Sequence, residues 1–351
     1  MRSAMLMPLF SVGLVAAITG VAQAQTAAAP QSAQVQPTPQ GQSAAQALAA
    51  AQTSGQVQTQ VPLTIADLTA PQPAPDTNSA ATTTQSNIIN YFANWFDRVA
   101  EAQASQPHWM TPVVTVTPRL EEEVRYDQYW EKRGNGSTLD IFDSGKGLEL
   151  IPTETNEILI NPPAYQYKGN TAHPANGWLD DQFLVIKQRL FSANEDNGNY
   201  IVTAFLGVTA PSGNSTFTNN AWTITPTIAG GKGWGDFDIQ ATLGIAIPVR
   251  HQDTLGKSLA TNVTFQYHLL KYFWPEFEVN YTYWLDGDER GGKNQVLLTP
   301  GLVLGRFEIY KRIKFIIGGG YQFAVSPKYV DTSEQTPAYN HAWILTTRVA
   351  F

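Results

Sequence analysis

The chain has no cysteine, which excludes a disulfide framework and any thiolate-based metal or redox centre. Charge is also scarce. Only 15% of the residues are charged, well below the soluble-domain norm of roughly 25%, so much of the surface is buried or faces something apolar. The net charge of -7 leaves no basic footprint for phosphate and excludes nucleic acid as a partner. Beyond the first 24 residues no apolar run approaches the ~20 residues of a membrane-spanning helix, which excludes a helical membrane protein. Histidine is sparse as well: His108, His173, His251, His268 and His341. None has a serine two residues away on the same strand face, and no pair has metal-ligand spacing. There is neither a phosphate loop nor a dinucleotide fingerprint. No catalytic residue, metal or cofactor is therefore expected.

What is present begins with Arg2, an apolar core from about Met5 to Val21, and Ala22-Gln23-Ala24 as a small-x-small cleavage pattern. This is the pattern of a secretory leader over 1–24, removed before folding. Residues 25–85 are Ala, Gln, Pro, Thr and Ser with almost no aromatics. Such a segment buries too little apolar area to offset its ordering entropy and reads as a periplasmic tether. Between Ser86 and Ala104, Ile88, Phe92, Trp95, Phe96 and Val99 recur at three- and four-residue spacing, which predicts one amphipathic helix within a lead-in spanning 86–117. Phe92, Trp95 and Phe96 would form a gate or plug in a barrel mouth; alternatively the helix lies on the membrane interface or packs under the rim.

From about Leu120 the period becomes two. Phe237, Ile239, Ala241, Leu243, Ile245, Ile247 and Val249 share one face, with Asp238, Gln240, Thr242, Gly244, Ala246, Pro248 and Arg250 on the other. Such runs reach about 12 residues, whereas soluble strands cluster near 5–6 and tilted membrane strands need about 9–11. Aromatics crowd the strand ends, as at Tyr272, Phe273 and Trp274, and together these features favour lipid over the core of a secreted sandwich. The final strand alternates Trp343, Leu345, Thr347, Val349 and Phe351, resembling the signal read by the barrel-insertion machinery.

The expected fold is all-β: a transmembrane antiparallel up-and-down barrel over 118–351, in the outer membrane. Strands are predicted near 118–130, 138–151, 156–165, 179–192, 199–210, 219–230, 235–250, 257–270, 276–286, 294–305, 312–326 and 340–351. That makes twelve, or ten if the 138–165 region loses a hairpin. Pro226 and Pro300 fall inside strands and predict bulges or bends.

With this register Glu121, Glu123, Arg125, Asp127, Lys187, Arg189, Asp238, Gln240, Asn262, Gln266, His268, Glu278, Asn280, Lys314, Gln322 and Arg348 point inward, since a basic charge facing midplane lipid costs about 2–4 kcal/mol. They either line a polar pore and set its selectivity or form salt bridges that fill the lumen, with Arg348 pairing with Glu121 or Glu123.

The run Gly231–Ala241, a glycine turn followed by Gly-Asp and a long alternating strand, resembles the outer-membrane proteins of the phenol meta-pathway (MetA-type) transporter family. The segments Thr299–Phe307 and Ile317–Gln322 are similar to the same family, and the resemblance covers about 115–351. It implies passive transport of small molecules, extending to small aromatic or apolar compounds. The residues alone also admit an anchoring barrel with an occluded lumen or a lipid-modifying enzyme. The partners expected are outer-membrane lipid, the insertion machinery at Phe351, and small solutes.

Overall fold

The computed structural model describes residues 87–133, 136–143, 147–288, 290–326 and 339–351, all within the compact unit Asp76–Phe351. The leader at 1–24 and the tether at 25–85 lie outside the described residues. Residues 87–93 are helical, Asn94 interrupts, and α1 spans Trp95–Ala104.

The sheet begins with β1 (Glu123–Lys132), β2 (Thr138–Phe142), β3 (Gly147–Thr153), β4 (Asn156–Ile160) and β5 (Tyr165–Gly169). Then come β6 (Ala175–Trp178), β7 (Asp181–Ala193), β8 (Tyr200–Ala210), β9 (Thr223–Trp234) and β10 (Phe237–Pro248). After a short helix, α2 (Gln252–Leu255), the wall finishes with β11 (Ser258–Tyr267), β12 (Phe273–Trp284), β13 (Asn294–Tyr310), β14 (Ile313–Ser326) and β15 (His341–Ala350). All pairings are antiparallel, most of them between chain neighbours, and β15 closes on β1 from Glu123↔Ala350 to Lys132↔His341.

Three wall strands are each made of two pieces. β1 meets β3 through Glu123–Arg125 and β2 through Gln128–Lys132. From there β3–β4–β7 carries one end of the wall and β2–β5–β6 the other. Fifteen segments less these three joins give a closed barrel of twelve strands. The breaks fall at one height, between the row Phe142↔Tyr165↔Trp178 and the row Leu148↔Ile160↔Leu184. Pro162 and Pro163 occupy the β4–β5 break, where neither has an N–H for a ladder.

Connections alternate as a membrane barrel requires. At the end holding Glu123 and Ala350 they are short, down to Gly235–Asp236 and Lys311–Arg312; at the other they include 211–222 and 285–293. The short-turn end is periplasmic. Leu206, Ile228, Leu243, Phe277, Leu302, Trp343 and Val349 face outward, so the wall presents an apolar face to lipid.

The differences from the expected strands have physical causes. β1 starts at Glu123 rather than 118, because the backbone of 118–121 bonds to wall side chains instead of a neighbouring strand. β9 runs on through Trp234, so the glycines at 230–233 are strand rather than turn. β13 extends to Tyr310, leaving a two-residue turn. The loop expected at Tyr165–Gly177 shrinks, because β5 and β6 pair across Tyr165↔Trp178 to Lys168↔Ala175. Neither proline makes a bulge. At Pro226 the β9–β10 pairs lapse between Thr227↔Gly244 and Ile224↔Ile247, and at Pro300 the β13–β14 pairs lapse between Leu298↔Phe323 and Gly301↔Gly320. Register is kept on both sides, as a missing N–H alone would give.

Candidate functional site

After α1 the chain does not go directly into β1. Residues 106–122 enter the barrel and return, filling the lumen from the periplasmic end. The two legs are tied at the base: Gln106 Nε2 donates to Leu120 O at 2.8 Å and Leu120 N–H to Gln106 Oε1 at 2.9 Å. Arg119 donates from Nε to Pro107 O (2.6 Å) and from Nη1 to Trp109 O, and it pairs with Glu121 at 2.8 Å.

An irregular segment inside a barrel has backbone groups that no strand satisfies, and each one left unpaired costs about 1–3 kcal/mol. Here the wall supplies the partners. Glu278 accepts the N–H groups of Val114 and Thr115, both at 2.7 Å, and Glu276 accepts Val113 N–H at 2.9 Å. Arg348 donates to Thr111 O (2.6 Å) and Pro112 O (2.8 Å), and Arg125 to Val113 O (2.7 Å). Gln240 donates to Met110 O at 2.9 Å and accepts Thr117 Oγ1–H at 2.7 Å. Thr203 and Lys187 bond Pro118 O and Arg119 O, while Glu157 accepts Glu121 N–H at 2.6 Å. These anchors come from β1, β4, β7, β8, β10, β12 and β15, so the inserted segment is held from most of the circumference. Apolar contacts fill the gaps. Met110 and Val113 join Trp274, Val303, Ile316, Ala342 and Ile344, and Val116 packs on Leu159, Val185, Phe205 and Ala229.

Among the sequence-predicted interior residues, Glu121, Glu123, Arg125, Lys187, Arg189, Asp238, Gln240, Gln266, Glu278 and Arg348 are buried, while His268 and Lys314 are half-buried. They are not one network. Arg125 pairs with Asp127 (2.9 Å) and Lys187 with Glu157 (2.7 Å). Arg348 gives two of its donors to the inserted backbone, where the sequence reading has a pairing with Glu121 or Glu123. Gln266 donates to Glu276, and Arg189 to Ala102 O at the end of α1. His268 stacks on Trp274 with centroids 4.0 Å apart. Lys314 lines the periplasmic vestibule described below. Phe92 and Phe96 are exposed, and Trp95 donates to Glu122 at 2.7 Å, beneath the lumen rather than in it. Glu122 also accepts Ile151 N–H. Burial dominates these bonds and lifts its carboxyl above the ordinary range.

Three features escaped the sequence reading. Trp109 lies in the lumen, its Nε1–H donating to Asn199 Oδ1 at 2.8 Å, against the inward positions Gly231 and Gly233. Any β-carbon at Gly231 would stand 2.5 Å from the Trp109 ring, so these glycines clear space for it. The Gly-Lys-Gly spacing, two apart on one strand face, was the available signal. Arg306, outward by simple alternation, is turned inward by a register shift between Gly305 and Phe307, with φ of 59° at Arg306 itself. It donates to His108 O and Trp109 O, each at 2.7 Å. Glu276 escaped because only its strand neighbour Glu278 was read as interior.

Two of the cavities beside the inserted segment lie toward opposite ends of the lumen. One of about 190 Å³ reaches from Val116 toward the outer end and is lined by Leu159, Val185, Phe205, Thr227 and Ala260. The other, about 490 Å³, opens at the periplasmic mouth among Arg119, Glu123, Glu308, Arg312 and Lys314.

Residues 162–336 match the family model described as "Putative MetA-pathway of phenol degradation". That span contains the three segments on which the resemblance rested, and it is narrower than the 115–351 expected. No curated protein matches the chain. Among solved structures it is similar to an outer membrane channel from Pseudomonas putida F1, with 15% identity and a TM-score of 0.45, covering 65% of this chain and 94% of that one. It is also similar to the NanC porin, with 10% identity and a TM-score of 0.41, covering 64% and 98%. A third similar structure is OmpT of Vibrio cholerae, with 9% identity and a TM-score of 0.32, covering 65% and 95%.

Proposed function

We propose that this chain, whose residues 162–336 match the phenol-degradation family model, is a self-plugged outer-membrane channel that passes small apolar molecules, monocyclic aromatics among them. The observation that carries the reading is the outer chamber of about 190 Å³, walled by Leu159, Val185, Phe205 and Val116, above a segment whose backbone is bonded to the wall. A dry apolar cavity of about 150 Å³ is enough to hold benzene. An ion gains little there, because the polar side of the lining, Thr225, Thr227, Thr242 and Asn262, carries no charge to offset the water it would shed. A ring compound gains the transfer energy of its buried surface, about 25 cal/mol per Å².

Passage then requires the inserted segment to shift. Most of its ties to the wall run to charged side chains and are worth roughly 1.5–3 kcal/mol each, and water entering the lumen can replace them one at a time. When it moves, Arg125, Lys187, Arg189, Asp238, Glu278 and Arg348 line the passage, and the charged vestibule with Lys314 is the exit.

The test compares the folded protein with a variant in which 109–118 are replaced by a short Gly/Ser linker, both reconstituted in bilayers. The wild type should pass phenol or toluene into vesicles while conducting ions poorly. The variant should conduct in discrete steps with a reversal potential set by the interior charges. A barrel that passes no ring compound, and stays silent when the segment is removed, is an anchoring protein with a shut lumen.

A further inference from the structure

The helical stretch before the inserted segment carries a surface that nothing described covers. Ile88, Ile89, Phe92 and Phe96 are exposed by 54%, 59%, 64% and 46%. This is not a face turned to the barrel. The apolar contacts of α1 run through Val99, Ala102 and Trp95 onto Leu120 of the inserted segment and Ile151 of β3. The distribution of charge along the stretch is uneven. From Asn87 to Phe96 there is none; Asp97, Arg98 and Glu101 all follow.

The ties of the helix fix where the uncharged half goes. Its C-terminal end is held at the β7–β8 side, where Asn194 donates to Ala104 O and Ser192 to Ser105 O. Its other half passes between two turns. Tyr91 Oη–H donates to Pro152 O near the β3–β4 turn at 2.8 Å, and Arg312, in the β13–β14 turn, donates to Phe96 O and lies 4.3 Å over the Phe96 ring. Those turns flank β15 and β1, so residues 87–96 leave the mouth over the β15–β1 rim. There the outer wall is lipid-facing at the paired residues Val124 and Val349, and the nearby end of β13 shows Ile309 and Tyr310, exposed by 64% and 62%.

We infer that residues 87–96 are an interfacial anchor whose occupant is the periplasmic leaflet of the surrounding bilayer. The apolar side chains Ile88, Ile89, Phe92 and Phe96 enter the headgroup–acyl boundary beside the barrel. Tyr91, exposed and with the Arg98 guanidinium 4.1 Å over its ring, has the amphipathic character that settles at that level, and a helix half with no charged residue of its own, continuous with the apolar wall, fits the interface better than water. Because α1 leads directly into residues 106–122, the leaflet also holds the base of the lumen segment.

The absence of cysteine makes the test direct. Phe92→Cys and, independently, Ile88→Cys are labelled with an environment-sensitive nitrobenzoxadiazole probe. Asp196→Cys, on the exposed β7–β8 turn, is the control. Each full-length variant is reconstituted in phosphatidylethanolamine–phosphatidylglycerol vesicles, and heat-modifiable gel mobility identifies the folded fraction. Labels at 92 and 88 should emit blue-shifted light and lose most of it to lipids spin-labelled near the headgroup, while the control responds only to an aqueous quencher. Aqueous quenching at 92 and 88 overturns the assignment. Protection from both quenchers overturns it as well, and identifies a protein cover: residues 25–85 if protection vanishes on their deletion, a second copy if it vanishes on dilution into excess lipid. A silent or conducting lumen leaves this readout unchanged, so it stands apart from the transport reading.

Discussion

Gly233 and Trp109 meet where the wall receives the lumen segment: a β-carbon at Gly233 would lie 2.7 Å from Trp109 Nε1 and 2.2 Å from Asn199 Nδ2. The glycine keeps a place in the wall for an indole more than a hundred residues away in sequence, and the bond from Trp109 to Asn199 locks it.

Gly233→Val should therefore expel Trp109 while leaving the strand intact, since valine favours extended backbone. In planar bilayers the variant is expected to conduct in bursts that the wild type lacks. Quiet traces from a folded Gly233→Val barrel would mean that Trp109 does not hold the segment closed.

Glu278 is the second anchor. Glu278→Ala leaves the Val114 and Thr115 N–H groups without a partner in the closed lumen, at about 1–3 kcal/mol each. The open-to-closed ratio should rise about tenfold or more, and amide exchange at 113–115 should lose protection while the wall strands keep theirs. Equal loss of protection in both would show that Glu278 supports the barrel rather than the segment.

The base of the segment responds to acid through Glu195, outside the membrane span. Partial burial pushes its carboxyl upward, but the hydrogen bonds from His108 backbone N–H (2.6 Å) and from its ring (2.9 Å) prevail and lower it below 4.5. With the folded value depressed, the tie is fully present above pH 4.5 and is lost as pH falls through the lowered value. The pair is well exposed, so the effect is small. Opening frequency of the wild type should approach that of Glu195→Gln only below pH 4.5. A constant gap between the two down to strong acid would rule out this tie.

Filling the outer chamber separates ring uptake from ion flow. Ala260 lines that space, and Ala260→Phe should abolish entry of toluene into vesicles while leaving the low ion conductance where it was. Unchanged uptake would place the ring path elsewhere.

The residues themselves determined much of this. Alternation over about 12 residues fixes both faces of a strand, because side chains alternate with period two whatever the neighbours are. A buried charge must turn away from lipid, so the inward positions of Lys187, Asp238 and Glu278 followed from register alone. The amphipathic stretch near 86–104 was equally legible, because its three- and four-residue spacing is local.

Only the tertiary structure decided what fills the barrel. Residues 106–122 have no period to read, since their backbone is satisfied by side chains from seven strands, and that matching exists only once the wall has closed. The inward glycines at 231 and 233 looked like a turn until Trp109 gave them a reason. Arg306 fell just past the expected strand end at 305, and a register shift at Gly305 turns it into the lumen. Each is a long-range relation between partners far apart in sequence, and period and spacing carry no record of it.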